Sequence, residues 1–537
     1  MTPSFRRENS LQRLESEEFD VLVVGGGITG AGVALDAASR GLSVALIDKG
    51  DLAVGTSSRS SKMVHGGLRY LQHGEFGLVY QALAERHRLL RNAPHLVSVL
   101  PFVIPILKKG GVVSRRISFG LGLAMWQYDL TGGLRIGHRH RRLRAEEVIG
   151  HLPGLRRDLV ASGYLYFDAW ADDARLTLAI ARTAALDHGA AVATYTALTG
   201  VTRRDGQVAG ATVEVDGREV KVACRAVVNA CGVWAADVQS ISGVESDLEM
   251  RPAKGVHVTV PRERLKVDLA VLLPVRGDGR SVFVLPWRDG HTYIGTTDTD
   301  HDSGLEEPLC RSEDVTYLLD AVNAMTDADL TVDDVTGTWA GLRPLVTPTD
   351  TGRTADLSRR HVVEVDETGV VTVTGGKLTT YRRMAADTVD AVMAHRGESR
   401  RCRTRRLHLR GALSSAGNGS RDEPGTHLEG RYGSEAGEVS ELIAADATLA
   451  DPLVPGLAYS RAEAVHAVRY EMAQTLDDVL SRRTRARLED RAATLAAVES
   501  VADLVGNEAG WSDQRREHEI EAFRVLVAAE DEAQQGM

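Results

Sequence analysis

Residues Phe19 to Asp48 read FDVLVVGGGITGAGVALDAASRGLSVALID, and no other stretch restricts the fold as much. Phe19 to Val24 is an apolar run of strand type, and Ala31 to Arg40 is rich in helix formers. Leu42 to Ile47 is a second buried strand, which Asp48 closes. Gly25, Gly27 and Gly30 between the first strand and the helix form G-x-G-x-x-G. Binding of a dinucleotide explains all three glycines, the first by a tight turn, the second by close approach of backbone to pyrophosphate, the third by close helix–strand packing. Phosphates would meet the N–H groups of the helix starting near Ile28, and Asp48 is placed to bind a ribose. The pattern fits FAD and NAD equally well.

Composition narrows the class. A chain of 537 residues, 43% hydrophobic and 26% charged, has the length for two to four domains with ample core. A net charge of −10 argues against nucleic acid as partner. Cys224, Cys231, Cys310 and Cys402 lack C-x-x-C spacing, which predicts neither a zinc site nor disulfides and suggests a cytoplasmic, reducing setting. Residues 1–18 lack the apolar core of a signal peptide, and no run reaches ~18 apolar residues, so any membrane contact is expected to be peripheral.

Beyond Asp48, the hydroxyl-rich stretch TSSRSSKMVHGG (56–67) predicts a loop that approaches a ligand closely, followed by a helix from Phe76. His65, Arg69 and Tyr70 are either a surface turn or ligand contacts, the latter favoured by their place after the second strand. ISFGLGLAMWQYDL (117–130), with Trp126 and Tyr128, lies between Lys108, Lys109, Arg115, Arg116 and the run GHRHRRLR (137–144). This is the composition of an interfacial membrane helix or of a core helix beside solvated arginines. Val227 to Ala230 returns as a buried strand, and residues 250–340 alternate like antiparallel strands. Asp298, Asp300 and Asp302 lack the spacing of a calcium loop and predict a turn, and no metal site is expected. SSAGNGSRDEPG has linker composition. Beyond it, Ser460 and Glu463 predict a capping box, and Val465, Val468, Met472, Leu476 and Val479 one helical stripe.

The blocks GGGITGAG (25–32), TSSRSSKMVHGGLRYL (56–71), APHL (93–96), VNACGVWA (228–235), KGVHV (254–258), IGTTDT (294–299), GLRPL (341–345) and GGKLTTYR (375–382) resemble the FAD-dependent, quinone-linked glycerol-3-phosphate dehydrogenases. The resemblance runs in the family's order from about residue 18 to 390 and extends to the C-terminal segment. It implies an α/β fold: a Rossmann-like FAD-binding domain of the glutathione-reductase and D-amino-acid-oxidase type, with an interleaved antiparallel substrate domain and a helical C-terminal cap. The expected limits are 18–398 for the FAD unit, with substrate parts at about 91–165 and 241–340, then a linker at 399–427 and the cap at 428–537.

The reaction implied is oxidation of sn-glycerol 3-phosphate to dihydroxyacetone phosphate, with FAD as cofactor and a membrane quinone as acceptor. Attachment to the inner face of the cell membrane would follow, and the oligomeric state is left open. A glycerophosphate oxidase using oxygen, or a non-catalytic flavin sensor, are the alternative readings. Implied flavin contacts are Gly25, Gly27, Gly30, Asp48, Ser57, Ser58, Lys62, Gly66, Ala230, Gly232, Trp234, Gly376, Lys377, Leu378 and Thr379. A phosphate monoester needs arginines, and Arg69 beside Tyr70, Arg343, and Arg359 or its neighbour Arg360 are the candidates. His257 is the first candidate base and His65 the second, with a hydrogen-bonded strand histidine as the alternative reading of His257. Lys377 would set positive charge near the flavin pyrimidine ring.

Overall fold

A computed structural model describes residues 5–67, 75–108, 122, 125–244, 248–287, 290–301, 304–348, 360–412 and 427–536. Arg69, Tyr70, Arg359, Lys109, Arg115, Arg116, Asp302 and residues 413–426 of the expected linker fall outside them.

Among the described residues the fingerprint builds the middle of a six-stranded sheet. Its order is His361–Val365, Val370–Gly375, Val227–Asn229, Val21–Val24, Val44–Ile47 and Ala191–Ala193. All pairings are parallel except that of His361–Val365. Val21–Val24 and Val44–Ile47 are buried throughout, which explains why they read as unbroken apolar runs instead of alternating ones. The fingerprint helix Ile28–Ser39 packs between helices Asp173–Leu186 and Tyr381–His395. Its small residues permit this: a β-carbon on Gly32 would stand 2.8 Å from the Tyr381 ring.

A four-stranded sheet joins this unit, with Thr196–Arg204, Gln207–Val215 and Arg218–Cys224 forming an antiparallel meander. The turn Asp205-Gly206 links the first two, both residues adopting positive φ.

The largest sheet carries the antiparallel strands expected after residue 250. Leu248–Pro261 pairs with Gly337–Pro348 from Leu248 to Thr259 and with His291–Gly295, and Val97–Leu107 pairs with Val160–Ala171. Valines and leucines on one face pack against helix Ser312–Asn323, and Phe102, Tyr166, Trp287, Tyr293 and Trp339 gather in a second cluster.

Helices dominate from His427 onward, and the capping box forms, with Glu463 accepting from the Ser460 backbone N–H at 2.9 Å. The single stripe does not form. The helix ends at Glu471, Met472 turns the chain at φ 60°, and Leu476 and Val479 lie beyond the break. Consequently Val465, Met472 and Leu476 bury in three separate cores, Met472 in that of the nucleotide unit. Apolar spacing cannot register such a reversal.

Candidate active site

A cleft of about 330 Å³ opens where the central parallel strands end, the usual ligand position of such sheets. Its floor is backbone. Gly25 has φ 106°, and a β-carbon there would lie 2.7 Å from the Ala230 carbonyl oxygen; one on Gly30 would lie 1.8 Å from that of Gly25. A side chain at either place would push the turn out of the sheet. Gly27 faces Ser57, whose Oγ accepts the Ile28 N–H at 2.9 Å.

Asp48 closes this end of the cleft. Its carboxylate accepts the Gly26 N–H at 2.6 Å and the Gly50 N–H at 2.8 Å. Burial raises its pKa, and those two N–H groups oppose the rise. Trp234 also lines the cleft, and its buried indole N–H has no hydrogen-bond partner among the described residues. A glycine cradle, a carboxylate at the strand end and an unmatched donor fit a dinucleotide cofactor. Of the expected flavin contacts, Gly25, Gly27, Asp48, Ser57, Ala230, Gly232, Trp234, Gly376, Lys377 and Leu378 line the cleft. Gly30, Ser58, Lys62, Gly66 and Thr379 stand behind it.

The far wall is the turn Gly375-Gly376-Lys377, where φ values of 73° and 83° at the two glycines let the strand reverse into the next helix. Thr379 clasps this turn to the His65 turn, its Oγ1 accepting the His65 N–H at 3.2 Å. Gly66 N–H in turn donates to Tyr128 Oη at 3.0 Å and Asp168 Oδ1 at 3.2 Å, and Arg86 binds the same Asp168 oxygen at 2.5 Å. Two sequence blocks some 300 residues apart thus become one wall.

Beside the cleft stands a second group of polar side chains. Arg343 projects from the long strand Gly337–Pro348, whose next residue, Pro344, lines the cleft. Its guanidinium donates to Asp298 Oδ1 at 3.0 Å, to Thr296 Oγ1 at 3.2 Å and to the Thr297 carbonyl at 3.1 Å. His257, on the neighbouring strand, is buried and stacks on Trp339 with centroids 4.7 Å apart. Its Nε2 lies 2.8 Å from Ser61 Oγ, while Nδ1 has no hydrogen-bond partner among the described residues. Burial, then Lys62 and Arg343, hold His257 well below the usual imidazole range, so the ring is neutral at pH 7. Neither His257 nor His65 lines the cleft itself. Lys62 is fully buried, donating to the Ser58 carbonyl at 3.1 Å and to Asp173 at 3.0 Å. Burial, reinforced by Arg485, pushes it down to about 8. Arg360, the alternative to Arg359, is exposed.

Sequence reasoning overlooked Asp298, read as turn, and Ser61, read only as loop. A carboxylate three residues past a strand end in IGTTDT was the available signal for the first; nothing local marks the second. Asp168, which fixes the His65 turn from 100 residues away, carries no motif at all.

Comparison with known proteins agrees with this geometry. Residues 20–382 match the family described as FAD dependent oxidoreductase, and residues 402–516 match the C-terminal domain of alpha-glycerophosphate oxidase. The chain is 39% identical to a glycerol-3-phosphate dehydrogenase of Mycobacterium leprae, over 98% of this chain and 91% of that protein. It is 35% identical to the mitochondrial glycerol-3-phosphate dehydrogenase of Bos taurus, over 98% of this chain and 75% of that one. Among solved structures, the glycerol-3-phosphate dehydrogenase of Bacillus halodurans complexed with FAD superposes with a TM-score of 0.77 at 28% identity, covering 99% of this chain and 98% of that one.

Proposed function

Because the chain belongs to the FAD-dependent glycerol-3-phosphate dehydrogenases, we propose that it oxidises sn-glycerol 3-phosphate to dihydroxyacetone phosphate and passes the electrons to a membrane quinone. FAD, when bound in the glycine cradle, supplies the acceptor for the carbinol hydride. The rest is the work of this chain's side chains. Arg343, its direction fixed by Asp298 and Thr297, holds the substrate phosphate, with Arg69, Tyr70 and Arg359 as further contacts. His257, neutral and with Nδ1 unengaged, takes the hydroxyl proton, and His65 is the second candidate. Lys377 on the cleft wall sets positive charge beside the cofactor. The FAD unit spans 18–398 and the helical cap 428–537.

The single observation that carries this reading is a backbone-built dinucleotide cleft with an arginine, Arg343, anchored by Asp298 next to the cleft-lining Pro344. An exposed set supports the membrane side. Phe76, Tyr80, Trp126 and Leu130 are 52%, 51%, 47% and 67% exposed, and helix Phe76–Asn92 packs on residues 129–133. Arg135 lies 5.0 Å over the Tyr80 ring and Arg139 5.7 Å over that of Trp126. Aromatics interleaved with cations suit a peripheral site on an anionic bilayer. No described helix is long and apolar enough to cross a membrane.

The deciding experiment is an anaerobic absorbance spectrum before and after adding glycerol 3-phosphate, with glycerol and 2-hydroxy acids as controls. Bleaching of the oxidised flavin by glycerol 3-phosphate alone is expected. A flavin that stays oxidised overturns the substrate assignment. Reoxidation by a soluble quinone is then expected to outpace reoxidation by oxygen; stoichiometric hydrogen peroxide without quinone would make the protein an oxidase.

A further inference from the structure

The cleft wall Val54–Ser57 has little regular structure of its own, only the short turn Thr56–Ser58. Both of its ends are nevertheless pinned by buried charge that comes from the C-terminal part of the chain. Upstream, Asp51 is 1% exposed; Arg482 Nε donates to it at 2.7 Å, and Arg483 grips both its oxygens at 2.6 and 2.7 Å. The Asp51 carbonyl then accepts the Val54 N–H at 3.3 Å, and the Gly26 carbonyl of the fingerprint accepts the Ala53 N–H at 3.1 Å. Downstream, Arg485 donates to Asp172 and Asp173 at 2.6 Å each and reaches the Ser58 carbonyl at 3.4 Å. Asp173 also accepts Ser60 N–H at 2.9 Å and Ser60 Oγ at 2.7 Å. Between the two anchors lie the residues that face the cleft.

Taking so many ions out of water is expensive, and apolar residues of similar volume stabilise a seam at least as well. What ion pairs add is direction, since a guanidinium fork accepts a carboxylate in one orientation. We propose that Arg482, Arg483 and Arg485 are positioning residues for the cofactor loop Asp51–Lys62, so that the C-terminal domain sets the affinity of the flavin cleft without touching it. The inference rests on the cleft being the FAD site.

The test is the dissociation constant for FAD, measured by flavin fluorescence on deflavinated full-length protein. The wild-type chain is measured first, and its failure to take up FAD would overturn the site assignment itself. Given wild-type binding, Arg483→Gln and Asp51→Asn are each expected to weaken FAD about tenfold, within the range that coupling through packed contacts reaches. The double variant should be no weaker than the worse single one, and Arg483→Lys should recover part of the loss. Arg182→Gln is the comparator: Arg182 pairs with Glu435 at 2.5 Å across the same seam, is also buried, and has no hydrogen bond to the loop among the described residues. It should leave FAD affinity within about twofold of wild type. Equal weakening by Arg182→Gln, or unchanged affinity in Arg483→Gln and Asp51→Asn, overturns the proposal. Should Asp51→Asn fail to fold, the contrast between Arg483→Lys and Arg182→Gln decides the matter alone.

Discussion

The cleft and the side-chain cluster beside it are made of different material. At the fingerprint end the chain offers main-chain groups: three glycines, the N–H groups of the helix start, and Asp48 tied to backbone on both oxygens. Beside the cleft stand polar side chains, each held by residues distant in sequence: Arg343 by Asp298, His257 by Ser61, Lys62 by Asp173. Backbone sites depend on what is absent, so one added methyl group damages them. Side-chain sites depend on partners, so they can be detuned one contact at a time.

Gly30→Ala should have the largest effect. Its β-carbon would fall 1.8 Å from the Gly25 carbonyl oxygen, and the turn must shift. Flavin content of the purified protein should drop to near zero, whereas full retention would break the account of the backbone-built cleft. Arg343→Ala should reduce kcat/KM for glycerol 3-phosphate by roughly 100-fold or more, the scale for losing one partner of a desolvated charge pair. Flavin content should stay at the wild-type level. Equal loss of both would place Arg343 with the cofactor and erase the difference between cleft and cluster.

Asp298→Asn keeps the shape but removes the charge that orients Arg343, and about a tenfold rise in KM with little change in kcat is expected. A fall in kcat at constant KM would instead put Asp298 in the chemistry. The smallest effect concerns Lys62. Its folded pKa of about 8 lies below the ordinary lysine value of 10.5, so between those values the unfolded chain binds a proton that the folded one has released. Stability of wild type relative to Lys62→Met should therefore rise with pH in that window, by about 1 kcal/mol per unit. Chemical denaturation at pH 7 and pH 10 checks this, and a flat difference would mean that Lys62 is better solvated than its burial implies.

Legibility followed the same division. The glycines, Asp48, both strands and the intervening helix could be read within thirty residues, because a nucleotide cradle is a local object. Gly376 and Lys377 were placed by resemblance, and the structure shows the turn there, two glycines at positive φ in succession. Trp234 and Ala230 were placed by resemblance and line the cleft. Lys62 and Thr379 were placed by the same route, yet they stand behind its walls, since resemblance in sequence does not show which way a side chain is carried.

The sequence by itself determined the dinucleotide unit, the antiparallel run after residue 250 and the capping of the C-terminal helix at Ser460, each written in local periodicity or local turn chemistry. Only the tertiary structure decided that Met472 would turn the chain back into the nucleotide core, that Asp168 would hold the His65 turn, and that Arg482, Arg483 and Arg485 would close on Asp51 and Asp173. Those contacts join residues hundreds of positions apart, and a buried charge finds its partner only when the whole chain has excluded the water between them.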